Sequence, residues 1–181
     1  MFPLMGERVS PDLVETKGRG KMRKQTIALS HGLRDEDILW LFQVGEEKTI
    51  NPGTAIVHEG IRPSALFLVI RGGFNVGVEA VVDEPLAKLG VGELIGEISF
   101  LEDSPASATI VADEESAVLA IDNQVLNERI REDTAFAARL YRAFALVAHR
   151  RLCNRVDHLA FLFELGRSPG SQRGISIPVF D

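Results

Sequence analysis

The sequence predicts a mainly β protein with added helices: a sandwich or barrel of short strands, preceded by a short helix and followed by a long one. Three observations carry this prediction. Short β-rich runs separated by turn residues fill residues 45–121. No segment there holds the helices of about ten or more residues that a parallel βαβ sheet needs. Beyond Asn123 the chain is rich in Ala, Leu and Arg, and Gly166 is its only glycine or proline up to Ser168.

Length and composition indicate one packed core without export or membrane segments. The chain has 181 residues, 45% apolar and 25% charged, which excludes collagen-like, wholly disordered and disulfide-scaffold classes. Its longest apolar runs, such as 65–70, are far shorter than the ~18 residues of a membrane helix, and its amino terminus is too short for a secretory signal. We therefore expect a cytoplasmic protein whose single cysteine, Cys153, is a small buried hydrophobe.

Residues 1–26 are polar, glycine-dotted and weakly periodic, and we predict that they form a flexible basic arm. Their basic cluster could grip phosphates, but without aromatic or periodic apolar residues it favours a mobile, solvated segment. The formal net charge of -6 argues against a body that coats nucleic acid. The cluster consists of Lys17, Arg19, Lys21, Arg23 and Lys24, with Gly18 and Gly20 between them.

The folded body is predicted to begin near Ile27 with a short amphipathic helix. Asp35 is its acidic cap, and Trp40 marks a partly covered side. Apolar residues three to four positions apart indicate the amphipathic pattern, namely Ile38, Leu39, Leu41 and Phe42. The predicted strands follow at 49–50, 54–57, 66–70, 74–78, 108–111 and 117–121.

Two helices are predicted over about 123–164, the second capped near Asp133 and Thr134. Apolar residues in it recur at steps of four, three and four, as in a coiled-coil seam. The alternative is that this stripe packs on the β-body, but a helix of ~30 residues runs ~45 Å, longer than a small barrel covers. We therefore expect a homodimer formed through residues 134–163. The stripe is Leu152, Val156, Leu159 and Phe163, with Ala145 one heptad before Leu152.

The last residues, 165–181, are predicted to form a tail. Gly166 and Pro169 stop the helix. Ile175, Ile177 and Val179 alternate, which leaves open an added edge strand or a loose tail.

The most informative segment for function runs from Leu89 to Ile110. Gly92 and Gly96, four residues apart, are followed by Glu97, a brief apolar helical turn, a Ser-Pro turn and small residues entering a strand. Such a concave backbone cup suits close approach of a compact anion. Glycine-rich turns in β proteins are more often structural, so the segment alone leaves both interpretations open.

The order of elements and three motifs resemble the cyclic nucleotide-binding domain over roughly Leu29 to Phe163. The resemblance implies a jelly-roll-like β-roll (double-stranded β-helix) at about 45–121, inside a domain over 27–164. Residues 150–152 and 156–161 are also similar to the dimer helix of the catabolite activator branch. The three motifs are Glu59-Gly60 followed by 66–72, Gly92 to Glu97, and Pro105 to Thr109.

The resemblance also implies the ligand site. In that family, backbone amides cradle the cyclic phosphate, a glutamate accepts a hydrogen bond from the ribose 2′-hydroxyl, an arginine pairs with the phosphate, and the long helix meets the base. Gly96 and Glu97 match the ribose end, Ser107 and the Ala108 amide match the phosphate end, and Ala106 occupies the arginine position. The candidate binding residues are Gly96, Glu97, Ile98, Ala106, Ser107 and Ala108.

The absence of arginine at Ala106 predicts weak binding of cyclic AMP or cyclic GMP, and no other cofactor is expected. A hydrogen bond to a charged partner contributes roughly 1.5–3 kcal/mol, and an unpaired buried charge costs roughly 2–5 kcal/mol. Affinity should therefore fall by ~10-fold to several thousand-fold relative to an arginine-bearing relative. Candidate substitutes on the helix pair are Arg139, Arg142 and Arg155.

Two functions remain open at this stage. The first is a regulatory module that senses a small anionic nucleotide and signals through its carboxy-terminal helix. The second is a ligand-free member that serves as a dimeric interaction scaffold. Ala106 favours the scaffold, whereas Gly92, Gly96, Glu97 and Ser107 favour the sensor.

Catalysis and direct DNA reading are not expected. The histidines are scattered, with only His58 at the end of a predicted strand, so they do not supply a metal-ligand set. No nucleophile elbow, phosphate loop or acid/base pair is present. Only 18 residues follow Phe163, too few for a helix-turn-helix. The output is therefore expected to pass to an unknown protein effector.

Overall fold

The computed structural model describes residues 13–15, 21–23, 28–78 and 85–165, with side chains described for 28–78 and 85–153. Contacts divide the chain into two units, Met1–Val147 and Ala148–Asp181, and the division falls inside the last helix. None of the helices described is long and apolar enough to cross a membrane.

The first unit is built on two four-stranded sheets in which every pairing is antiparallel. One sheet has the order β3-β10-β5-β8 and the other β4-β9-β6-β7. These sheets confirm the predicted mainly β fold. Their strands are β3 Glu46–Ile50, β4 Ala55–Val57, β5 Ala65–Arg71, β6 Phe74–Gly77, β7 Ala87–Leu89, β8 Leu94–Ile95, β9 Thr109–Ala112 and β10 Ser116–Asp122.

Strand β10 lies at the centre of the core, because the side chains on both of its faces are buried. It pairs with β3 on one side and β5 on the other, and residues 116–121 are all buried. Val118 packs between the two sheets with Val69 and Phe74. Leu119 and Ile121 face the opposite way, into a second cluster built with the helices. A strand covered on both sides is expected to be an unbroken apolar run, as 117–121 is.

The helices form the second cluster. They are a 3-10 helix at Ala28–His31, α1 at Asp35–Val44, α2 at Glu97–Glu102, α3 at Asn123–Glu132 and α4 at Thr134–Leu165. Asp133 caps α4, because its Oδ1 accepts a hydrogen bond from the Phe136 amide at 2.9 Å, as predicted. The prediction that Asp35 caps α1 is wrong. Arg34 is the N-cap residue, and Asp37 instead of Asp35 reaches back to its amide, at 2.9 Å.

The predicted ends of the chain lie mostly outside the described residues. In the arm, the described part is an antiparallel pair, β1 Leu13–Glu15 and β2 Lys21–Arg23, with Val14 opposite Met22. Lys21 and Arg23 of the basic cluster therefore lie on a strand. The tail after Leu165 is outside, as are the side chains of Val156, Leu159 and Phe163 in the predicted seam.

A charged contact joins α1 to α4. The Asp37 carboxylate, 2% exposed, accepts hydrogen bonds from Nε of Arg139 at 2.6 Å and from its Nη2 at 2.8 Å. The hydrogen bond from Arg139 and the Arg34 amide hold the pKa of Asp37 below its ordinary value, against the opposing effect of burial. Beside this pair, the Arg129 guanidinium lies over the rings of Trp40 and Phe136, 5.5 and 5.6 Å from their centroids.

This pair predicts a loss of stability in acid. Because the pKa of Asp37 in the folded chain lies below its ordinary 3.8, the contribution is complete above that value. It is lost as the pH falls through the folded-state pKa. Asp37→Asn should therefore lower the thermal unfolding midpoint at neutral pH and flatten its decline below about pH 5.

The matched control is Asp35→Asn, the same change at an exposed position of the same helix. It should keep the wild-type decline. If both variants lose stability in acid as steeply as the wild type, the Asp37–Arg139 contact does not stabilise the fold.

Candidate functional site

The candidate binding residues lie at the two ends of residues 96–108, which we call the cassette. The turn that precedes the cassette is anchored on β5. The Gly92 amide donates to the Val69 carbonyl at 2.8 Å, and the Val69 amide donates to the Glu93 carbonyl at 2.9 Å. The Glu93 carboxylate accepts a hydrogen bond from the Gly90 amide at 2.9 Å. The carboxylate of Glu93 therefore holds its own turn closed, a structural task that leaves Glu97 as the candidate for ligand contact.

Gly96 redirects the chain from β8 into α2. Its φ is 94°, in the left-handed region, and it is the N-cap residue of α2. A Cβ atom at this position would lie 3.3 Å from the carbonyl oxygen of Ala65 on β5. Glycine is therefore required for both its backbone angle and its close approach to the neighbouring strand.

The first turn of α2 has two opposite sides. Glu97 is 2% exposed and is engaged by an interaction within the protein. Ser99 is also buried, whereas Ile98 and Leu101 are exposed. The structure thus places the predicted ribose acceptor on the inner side of α2 and Ile98 on its outer side.

The second half of the cassette pairs with the loop after β4. The Ala106 amide donates to the Ile61 carbonyl at 3.1 Å, and its carbonyl accepts from the Gly60 amide at 2.8 Å. Ala106 is 8% exposed and belongs to the apolar cluster between the sheets, together with Ile95. Ser107 is exposed and Ala108 half-buried. The two halves of the cassette therefore meet through Ile95 and Ala106 in one cluster.

A methyl group thus stands in the core where the resemblance implies a guanidinium. Arg139, one proposed substitute, is wrong for that role because its guanidinium is bonded to the buried Asp37. Arg142 is exposed, and the side chain of Arg155 lies outside those described. Arg62 directly follows Ile61, whose carbonyl accepts the hydrogen bond from the Ala106 amide. The Arg62 guanidinium forms an ion pair with Asp103.

The sequence did not predict a polar cleft of about 470 Å³ beside the cassette. Its Asn123 side chain donates to the Pro63 carbonyl at 2.9 Å, while the buried Oδ1 has no partner. The charged residues of the cleft are two carboxylates, Asp103 and Asp122, and one guanidinium, Arg62. The resulting net negative charge makes the cleft a poor site for an anion. Its residues come from three separate segments, so no local motif marks it. The cleft is lined by Arg62, Pro63, Ser64, Phe100, Asp103, Asp122, Asn123, Gln124 and Asn127.

The metal-ligating side chains are spread out. Within the described part of the chain, no three of His, Cys, Asp and Glu come together as a metal site. The prediction that Cys153 is buried is wrong, because its side chain is exposed. It lies on α4 beyond Val147, the last residue of the first unit.

Residues 47–133 match the model of the cyclic nucleotide-binding domain family, and the chain therefore contains a domain of that family. The match confirms the resemblance seen in the sequence. The family is a regulatory, ligand-binding one and not a catalytic one. The chain is 33% identical over 123 residues to the cyclic AMP receptor protein of Thermus thermophilus. That alignment covers 67% of this chain and 52% of the relative, so the chain spans about half the length of that protein.

Solved structures agree on the fold. The catabolite activator protein of Thermus thermophilus superposes with a TM-score of 0.60 at 28% identity, covering 75% of this chain and 62% of that one. A cyclic nucleotide-binding domain from Methylobacillus flagellatus gives a TM-score of 0.64 at 19% identity, covering 78% of both chains. The two sheets are therefore the β-roll of this family.

The geometry at Gly96 predicts that Gly96→Ala destabilises the cassette. A left-handed backbone costs an L-residue about 1–2 kcal/mol, and the new methyl group would also press on the Ala65 carbonyl. Urea unfolding should show a lower midpoint for this variant.

Gly90→Ala is the control, since a Cβ atom there meets nothing within 4 Å and its φ is not left-handed. It should change the midpoint little. Equal effects of the two substitutions would contradict a special role for Gly96.

Proposed function

We propose that this protein is a regulatory cyclic-nucleotide-binding module that signals through its carboxy-terminal helix to a protein effector. The observation that carries the proposal is the backbone of the cassette. A left-handed Gly96 opens α2, Glu97 follows on the inner side, and Ala106 is hydrogen-bonded to the loop after β4. The match to the cyclic AMP receptor protein of Thermus thermophilus supports a nucleotide as the ligand class.

The affinity for cyclic AMP is proposed to be weak. The phosphate would meet backbone amides and the Ser107 hydroxyl, and the methyl group of Ala106 supplies no positive charge. Because Arg139 and Arg62 are bound to Asp37 and Asp103, either would have to break an ion pair to serve as a substitute.

Signalling requires more than binding. A ligand shifts the long helix only if it binds one helix position more tightly than another. The outer side of α2 carries exposed Ile98 and Leu101. If α2 moves when the site closes, burial of these apolar side chains would contribute favourable free energy. In this way α2 could respond to a ligand on its inner side.

The alternative function is a ligand-free dimeric scaffold. Two observations favour it: Ala106 is part of the apolar core, and Glu97 is already engaged within the protein. In a scaffold the cassette would persist as a structural turn, with no change on adding a nucleotide.

Calorimetric titration of the wild type and of Ala106→Arg with cyclic AMP separates the two functions. Restoring the guanidinium should tighten binding by about 10-fold to several thousand-fold. Binding in the variant with weak binding in the wild type supports the sensor. No heat in either protein, with both folded, supports the scaffold.

Ala106→Gln is the matched control, since it adds bulk and hydrogen-bonding capacity without charge. Because Ala106 is buried, circular dichroism must show that both variants remain folded. If glutamine tightens binding as much as arginine does, the missing charge is not the cause of the weak affinity.

We also propose a homodimer formed through α4. The helix buries one face in its own unit, with Phe136, Leu140, Ala143, Phe144 and Val147. The positions of the predicted seam lie on another face, where Ala145 and Leu152 are exposed. Leu152 is 62% exposed, and a second copy of the same stripe would cover it.

Leu152→Asp should therefore reduce the mass seen by light scattering from about twice 19.9 kDa to 19.9 kDa. A charge in an apolar seam is unfavourable in the dimer, but it remains solvated in the monomer. Leu39→Asp, at a leucine that is 50% exposed on α1, is the control and should leave the dimer intact. A dimer that survives Leu152→Asp would remove this stripe from the interface.

A further inference from the structure

The segment that contains the cassette is acidic. Residues 89–112 include four carboxylates and neither lysine nor arginine. The Arg62 guanidinium, which lines the cleft beside the cassette, is bound to one of these carboxylates, Asp103. The electrostatic potential of the segment therefore disfavours a negatively charged ligand. The four carboxylates are those of Glu93, Glu97, Glu102 and Asp103.

The groups at the phosphate end of the cassette are neutral or already hydrogen-bonded. Ala106 places its methyl group in the apolar cluster, and its amide donates to the Ile61 carbonyl at 3.1 Å. Ser107 offers an exposed hydroxyl, which carries no charge. Helix α2 has only six residues and already has Glu97 in its first turn, so its dipole adds little attraction for a second anion. Burying an unpaired phosphate charge here is unfavourable.

The ribose end, in contrast, keeps an acceptor for hydroxyl groups. Gly96 turns the chain into α2 with a φ of 94°, and Glu97 follows on the inner side, 2% exposed. The Glu97 carboxylate is engaged within the protein. A carboxylate accepts hydrogen bonds at about four positions, so it can keep that contact and accept a ligand hydroxyl as well. Hydroxyl donors therefore suit this end of the site.

These two properties favour a ligand that has hydroxyl donors and no charge. A cyclic nucleotide carries a negative charge, and because its phosphate bridges the 3′ and 5′ oxygens, only its 2′-hydroxyl is free on the ribose. The corresponding ribonucleoside is uncharged and has free hydroxyls at the 2′, 3′ and 5′ positions. A neutral hydrogen bond contributes less to binding than an unpaired buried charge costs. Losing the phosphate contacts is therefore less costly than keeping the phosphate charge.

We propose that this site prefers an uncharged ribonucleoside to a cyclic nucleotide. The inference rests on the proposed function, because it keeps the same site and the same ribose acceptor and changes only the charge of the ligand. The 2′-hydroxyl of the nucleoside would donate to Glu97, and its 3′-hydroxyl would take the place of the phosphate near Ser107. The methyl group of Ala106 would then lie beside a neutral sugar.

Calorimetric titration of the full chain with adenosine and guanosine, each compared with its cyclic monophosphate, tests this preference. At least one nucleoside should bind at least about 10-fold more tightly than its cyclic monophosphate, which is the lower limit of the loss expected from the missing arginine. Added salt should narrow the difference, because it screens the repulsion of the phosphate but leaves the neutral ligand unaffected. Equal or tighter binding of both cyclic nucleotides, or no binding of either nucleoside, would overturn the inference.

Glu97→Gln tests the ribose acceptor. It should weaken binding of the nucleoside by about 10-fold or more, because a hydrogen bond to a charged acceptor is lost. The 2′-deoxy form of the same nucleoside should show this loss in the wild type, where the fold is unaltered, and should lose little more in the variant. Equal losses for the two ligands would make Glu97 a structural residue and overturn the contact. The matched control is Glu102→Gln, at an exposed carboxylate of the same helix, which should change the affinity little.

Ala106→Arg separates this inference from the proposed function. The new guanidinium should reverse the preference, so that the variant binds cyclic AMP more tightly than adenosine, whereas Ala106→Gln should keep the wild-type preference. Reversal by glutamine would overturn the inference, because charge would then not decide the preference. A variant that binds cyclic AMP beside a wild type that binds no nucleoside overturns the inference and leaves the proposed function. No binding of any ligand to either folded protein overturns both.

Discussion

The burial of β10 on both faces is the constraint on which the rest of the structure depends. Val118 fills the space between the sheets, while Leu119 and Ile121 meet α1, α3 and α4. The packing of this one strand therefore positions both the helices and the second sheet. The Asp37–Arg139 contact also fixes the position of α1 against the first turns of α4.

Packing in the same core also fixes the position of the cassette. Ile95 and Ala106 both pack in the cluster that contains Val118, so apolar contacts join the two halves of the cassette. In an arginine-bearing relative this position carries a charge that the phosphate would balance. Here Ala106 places a methyl group in the apolar cluster instead.

The sequence predicted most of the fold because hydrophobic periodicity and helix-capping residues can be recognised within a few consecutive residues. The runs that became β5 and β10, and the Asp133 cap of α4, were all visible there. Strands β7 and β8 were missed, since segments of three and two residues are too short to show a period. The Asp37–Arg139 pair spans 102 residues and has no local signature. Cys153 was placed in a core because its residue type favours burial, but its part of α4 leaves that side chain exposed.

The account depends most on a nucleotide pocket that persists without its arginine. The direct measurement is nuclear magnetic resonance of the nitrogen-15-labelled chain with cyclic AMP added to millimolar concentration. The account predicts shifts, in fast exchange, centred on the amides of Gly96, Glu97, Ser107 and Ala108. A spectrum in which these four amides stay fixed, whether or not the polar cleft around Asn123 responds, would contradict it.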